Sequence, residues 1–343
     1  MAFEITDTYE LVETLDRLEP ISTYWLDLCF PRIFTSQSEH IIFDQVDKAK
    51  RLAPFVAPNV QGQPMLARRQ NIKMFSPAYI KPKDKLDPAR NLIRRAGERI
   101  GGSLTVQQRH DAIVAETLSD HRDMIWRRWE WMACEAVVKG QVTVAGENYP
   151  SVTVGFGRKA THTKTLVGTA GWNQPTTATP ITDIQAWVRE IFLDSGRVVD
   201  RITMTPSALS AFMATDQVKA LLDTRRGSQL SIETARVTAE SSYPVFALPD
   251  GGPTVWSYFE TYEDNMGVQV PFVADGTVVL TGSVEGVRCF GAIMDDEAGW
   301  APLPIFPKMW KENDPSGVIL MTQSAPLMIP LRPDATMSVD VLS

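Results

Sequence analysis

A chain of 343 residues with 44% apolar and 22% charged side chains has a globular composition and room for more than one core, which excludes an intrinsically disordered protein. Its 34 basic and 41 acidic residues leave a net charge of −7, which excludes a protein whose main work is neutralising duplex phosphate. Three widely spaced cysteines, Cys29, Cys134 and Cys289, with no CxxC, exclude a disulfide framework and a zinc module and fit a reducing cytoplasm; no run approaches the ~18 apolar residues of a membrane span.

The first segment, MAFEITDTYELVETLDRLEP, is acidic and lacks the apolar core of a signal peptide. Leu11, Leu15 and Leu18 share a face and predict a short helix over 8–18, within an extended arm at 1–51. FTSQSEHIIFDQV (34–46) predicts a strand. Prolines 54, 58, 64, 77, 82 and 88 then remove backbone donors and block helix, while Arg68, Arg69, Lys73, Lys81, Lys83 and Lys85 make the stretch basic. Such a chain without its own core predicts a projecting loop at 52–86, built to touch something else; a plain solvent-exposed hairpin is the alternative.

From Ala89 to Tyr149 there is no proline. Ser103 is an N-cap candidate and Gly140 a fitting C-terminal stop, so 104–139 predicts one helix, about 54 Å long at ~1.5 Å per residue. A beam of that length implies an extended molecule. VTVAGENYPSVTVGFG (142–157) predicts a hairpin turning at Gly146-Glu147-Asn148, and the Thr- and Gly-rich 157–180 a loop. Thr182 with Gln185 three residues on reads as a capping box for a helix that Gly196 ends. RVVDRITMTP, YPVFALP, TVWSYFETY and GTVVLTG predict strands, and 207–214 and 216–222 short helices. The 180–285 stretch thus reads as an α/β unit inserted between β-rich segments, with further strands at GVRCFGAI and GVILMTQSAPLMIPL after it.

No constellation carries catalysis. Gly155-Phe156-Gly157-Arg158-Lys159-Ala160 has the loose form of a dinucleotide fingerprint, but THTKTLVGTAGW after it has no helical period to offer a pyrophosphate. There is no P-loop, no G-x-S-x-G and no HExxH. His110 and His121 share a helix face yet stand about 16 Å apart, so they cannot bind one metal and read as packing residues. Asp295-Asp296-Glu297 reads as a solvated loop rather than a cation site. Trp126, Trp129 and Trp131 occupy more than one helix face, which favours contact on several sides and an assembled protein. No cofactor is expected. The residues describe an elongated, non-catalytic building block.

Several stretches, in order, resemble the major capsid proteins of lambda-like tailed bacteriophages: SPAYIKPK (76–83), VVKGQVTVAGENYPSVTVGFGR (137–158), LLDTRRGS (221–228), GVRCFGAIMDDEA (286–298), WKENDPSG (310–317) and MTQSAPLMIPL (321–331). The resemblance implies an α+β chain with the tailed-phage and herpesvirus major capsid fold, of the Johnson or Hong-Kong-ninety-seven type. Its parts would be an N-terminal arm at 1–51, an extended loop at 52–86 and a peripheral domain at 87–179 with a spine helix at 104–139. An axial domain at 180–285 and peripheral return strands at 286–343 would complete it. It implies a subunit that assembles into hexamers and pentamers of an icosahedral head, in the host bacterial cytoplasm, around double-stranded DNA bound without sequence specificity and without a membrane. Implied partners are further copies of itself, a scaffolding protein and prohead protease, a portal, and a decoration protein at the three-fold positions. A separate scaffolding protein is implied because no long helical scaffold segment precedes the arm. No lysine–asparagine crosslink is expected. An encapsulin-like nanocompartment is the alternative within this fold.

Candidate contacts between subunits follow. Arg225 and Arg226 come just after a predicted helix C-terminus, where the dipole favours cations, and arginine binds carboxylates bidentately. They are expected to reach a neighbouring subunit, or else to bond within the chain to Asp223 or Glu233. Tyr79, Lys81, Lys83 and Lys85 of the extended loop are expected to meet acidic groups on an adjacent copy.

Overall fold

The computed structural model describes residues 8–17, 23–38, 40–46, 70–75, 77–86, 105–146, 149–224, 242–248, 252–264, 266–314 and 316–342. Its helices are α1 (Thr8–Arg17), α2 (Trp25–Cys29), α3 (Val106–Val138), α4 (Pro180–Ser195), α5 (Pro206–Ala214) and α6 (Asp216–Thr224).

Helix α3 is the beam expected from the sequence, 33 residues long, but it starts at Val106 rather than 104. Thr105, not Ser103, is the N-cap. The Thr105 hydroxyl accepts from the Gln108 amide and the Gln108 side chain accepts from the Thr105 amide, a reciprocal box. Ser103 would have Val106 in the reciprocal position, which offers no acceptor. At the other end Gly140 takes φ +69°, the left-handed conformation that stops a helix.

A six-stranded mixed sheet has the order 163–165, 336–340, 277–282, 199–204, 254–258, 242–247. It draws strands from 163–165 and 336–340 as well as from the 180–285 stretch. Both of its faces are covered. On Thr277–Gly282, Val278 and Leu280 join a core with Trp172, Trp187 and Phe212, while Val279 joins the core of α3 with Trp129 and Met132. Burial on both faces is why GTVVLTG reads as a continuous apolar run. Helices α4 and α5 pack on the first face.

The expected Thr182–Gln185 box does not form. Pro180 begins α4 and Thr179 makes no side-chain cap. Gln217 of α6 does the capping instead: its carbonyl accepts from the Ile181 amide at 3.0 Å, and its amide donates to the Thr182 hydroxyl at 2.9 Å. Gly196 ends the helix at φ +70° as expected.

The single strand expected at 34–46 is two strands in different sheets. Arg32–Thr35 lies parallel to Val287–Phe290, and Ile41–Val46 pairs with Gln70–Phe75. Between them the Ser36 and Ser38 hydroxyls accept from the amides two residues on, turning the backbone. The Pro-rich interval before GVILMTQ contains a strand the sequence hid, Phe306–Asn313. Pro307 is tolerated because this strand is the edge of its sheet. Of the expected loop at 52–86, residues 52–69 and 76 lie outside the described residues; Lys83–Leu86 pairs with Val318–Met321.

Candidate assembly surface

Arg225 and Arg226 lie outside the described residues, and Asp223 falls in the last turn of α6. The loop residues are placed. The Tyr79 hydroxyl donates to the Ala292 carbonyl at 2.7 Å and accepts from the Met294 amide at 3.3 Å. Lys81 stands over the Tyr79 ring and Lys83 over the Trp310 ring, with 4.9 Å and 5.4 Å to the centroids. Lys85 pairs with Glu312 at 2.7 Å and holds that carboxyl below its ordinary range. The loop base is therefore stitched to its own chain along one side, with all three lysines exposed.

The stretches weighed as sites have structural work. In Gly155–Ala160 the fork of Arg158 donates to the Val137 and Val138 carbonyls, both at 2.6 Å, and to the Thr163 hydroxyl. Those carbonyls are at the C-terminal end of α3, which has no further amides to offer them. Burial pushes the guanidinium pKa down to about 10. A 3-10 turn at 160–162 replaces the helix a dinucleotide would need.

His110 and His121 are buried on α3, and His121 bonds the Thr322 hydroxyl and the Asp84 carboxylate. Asp295 is not solvated as expected. It receives Lys308 at 3.0 Å and Gln323 at 3.0 Å. Burial alone would raise its carboxyl, but Lys308, the Glu297 amide and Gln323 outweigh that and hold it low. Sequence spacing missed this because Lys308 and Gln323 come from two paired strands. His162, Glu190 and Asp194 lie close enough together to share a cation. Lys159 on Asp194 and Lys164 on Glu190, each at 2.5 Å, already supply that positive charge.

The sequence reading also missed Glu130. It lies in the aromatic run WRRWEWM, is buried on α3, and faces the N-terminal end of α2. Its Oε1 accepts from the Tyr24 and Trp25 amides at 3.1 and 2.6 Å, and its Oε2 from the Leu26 amide at 3.0 Å. One carboxylate thus satisfies three amides that the helix itself cannot. An acidic residue set between Trp129 and Trp131 is the one trace of this in the sequence.

The outward surface mixes charged and apolar side chains. An open cleft of about 770 Å³ is lined by Ile80, Lys81, Met124, Arg128, Trp131 and Tyr262. Ile33 and Phe34 on the edge strand 32–35, Phe192 and Leu193 on α4, Met266 on a hairpin turn and Trp300 at φ +53° are all exposed.

The family model for phage major capsid protein E matches residues 7–341. The major capsid proteins of Escherichia phage lambda and Escherichia phage N15 are each 29% identical to the chain, covering 97% of it and 98% of their own lengths. Among solved structures, the capsid protein of a prophage of E. coli CFT073 superposes with a TM-score of 0.74 at 23% identity, over 98% of this chain and 99% of that one. The mature capsid of bacteriophage PhiM1 gives a TM-score of 0.51 at 12% identity, over 95% and 89%.

Proposed function

Because the chain belongs to the phage major capsid protein E family and has the α+β tailed-phage capsid fold, we propose that its copies build the wall of an icosahedral phage head around double-stranded DNA. The carrying observation is a family match that runs from residue 7 to residue 341. The chain acts by binding copies of itself and not by turnover. Residues 1–51 serve as arm and 52–86 as extended loop; 180–285 is the axial domain, whose sheet strands 163–165 and 336–340 complete, and the rest of 87–179 and 286–343 forms the peripheral domain. Hexamers and pentamers form in the host cytoplasm with a scaffolding protein, a prohead protease and a portal. A decoration protein then sits at the three-fold positions. Arg225, Arg226, Lys81 and Lys83 make contacts between subunits, while Tyr79 and Lys85, expected there too, hold the loop base to its own chain through Ala292, Met294 and Glu312. The acidic balance of −7 supports a container that confines DNA without gripping it.

The test is to co-express the chain with the scaffold and protease genes beside it and image the product by electron microscopy. Closed shells or capsomer-built tubes support the reading. A monomer under every condition overturns it.

A further inference from the structure

The loop at 293–301 is short, acidic and tightly bonded. The amides of Glu297, Gly299 and Ala301 donate to the Asp295 carboxylate and to the Asp296 and Ala298 carbonyls, at 3.0, 3.1 and 3.0 Å. Lys308 and Gln323 hold Asp295 from the paired strands, and the Tyr79 hydroxyl accepts from the Met294 amide. On this frame Gly299 and Trp300 both take left-handed backbone, at φ +57° and +53°. Glycine adopts that conformation freely and tryptophan rarely does. The outcome is a fixed indole, 62% exposed, beside the exposed Met294, Asp296 and Glu297. Among the described residues no ring stacks on Trp300 and no cation pairs with Asp296.

The open cleft of about 770 Å³ has the opposite character. Helix α3 contributes Met124, Arg127, Arg128 and Trp131 to it, and the loop base contributes Lys81. Arg128 stands over the Trp131 ring, 5.2 Å from its centroid. Arg127 and Arg128 are exposed, and among the described residues no carboxylate pairs with them or with Lys81. Lys81 in turn stands over Tyr79, which bonds the acidic loop, so loop and cleft are neighbours on one molecule. The exposure of Trp300 shows that the loop does not enter its own cleft.

We propose that the cleft receives the 294–300 loop of a second copy, with Trp300 as the anchor. The indole then packs on Met124 and meets the guanidinium groups face-on, while Asp296 and Glu297 supply the carboxylates that Arg127, Arg128 and Lys81 lack. A purely apolar partner would bury three cations unpaired. A phosphate chain would meet Glu263 and Asp264, which also line the cleft, and be repelled. A rigid aromatic set at the centre of a charged ring loses little freedom on docking, which is the pattern of an interface hot spot. The contact is heterologous, loop to cleft, and closes into a ring of copies where the rotation allows. It presupposes that the chain is a shell subunit and names one of the joints between copies.

Two chains with one added cysteine each test it: Met124→Cys in the cleft and Asp296→Cys on the loop, both leaving Trp300 in place. The native Cys29, Cys134 and Cys289 are buried. The two chains are co-expressed with the scaffold and protease genes, and the assembled particles are treated with a short bis-maleimide. Covalent dimers carrying a 124–296 link, identified by peptide mass spectrometry, are expected from the pair and from neither chain alone. Particles that form normally without that link overturn the contact and leave the capsid reading standing. A wild-type chain that never assembles overturns both. A Met124→Cys thiol that is open in empty shells and protected only in DNA-filled ones makes DNA the occupant and overturns the contact. Trp300→Gly, which relieves the φ of +53°, is expected to keep the unfolding midpoint of the unassembled chain at or above wild type. Its shell yield should fall about tenfold or more, the effect of removing a hot-spot aromatic. Shells at wild-type yield, or a midpoint well below wild type, would show that Trp300 is no anchor.

Discussion

Replacing Arg158 by alanine tests the joint at the end of the long helix. The side chain makes three donor contacts of 2.6 Å, two of them to the Val137 and Val138 carbonyls. A hydrogen bond from a charged donor contributes about 1.5–3 kcal/mol. Arg158 is half-buried, so the lower end applies, and the two carbonyl bonds together come to about 3 kcal/mol. At ~2.1 cal/mol/K per residue, a chain of 343 residues has an unfolding entropy near 0.7 kcal/mol/K, so the midpoint should fall by about 4 °C. Arg158→Lys keeps the charge but not the fork, and should recover about half of the loss. The assay is thermal and urea unfolding of the unassembled chain, followed by tryptophan fluorescence. An Arg158→Ala chain within about 0.5 kcal/mol of wild type refutes the reasoning, since the carbonyls would then be satisfied without it. Full recovery by lysine would show that charge at the helix terminus matters and the bidentate geometry does not.

Trp172 is fully buried and stacked on Trp187 with centroids 6.0 Å apart, so Trp172→Ala should cost about 3–5 kcal/mol in the same unfolding assay; a loss under ~1 kcal/mol contradicts that packing. Asp295 is held below its ordinary 3.8, so its contribution is present above that pH and lost as pH falls through the folded value; Asp295→Asn should flatten acid unfolding in that window, and an unchanged acid limb argues against the Lys308 pairing. Arg226→Ala should reduce shell yield seen by electron microscopy, and normal shells with unchanged stability would remove Arg226 from the intersubunit contacts. Virions run on a denaturing gel should give a single monomer band, whereas a ladder of covalent oligomers would establish a crosslink.

Much of the fold was legible because it rests on local rules. The period of apolar residues on α3, the glycine stops at 140 and 196, and the apolar run Thr277–Gly282 each follow from backbone geometry and side-chain alternation within one segment. The rejection of the dinucleotide motif also needed only the absence of a following helix. The start of α4 went wrong because a partner distant in sequence does the capping: Gln217 serves it from 36 residues away, and no pattern within 180–196 encodes that; the start of α3 lay two residues on, where Thr105 and Gln108 form a local box. Pro307 hid a strand because proline forbids only a central position, and which strand lies at an edge is a property of the assembled sheet.

The groups with perturbed chemistry were decided by tertiary structure alone. Glu130 is separated from the amides it binds by more than a hundred residues, and Asp295 meets a lysine and a glutamine from two paired strands. Burial and charge pairing are sums over neighbours brought together by folding, so Asp295 reads as part of a solvated loop, and Glu130 draws no notice, until those neighbours are placed. Residue types and local spacing determined the long helix of this chain, its glycine stop and the strands and helices of the 180–285 stretch. Only the folded arrangement decided which of its charges are structural joints, because an ion pair is defined by distance in space and not along the chain.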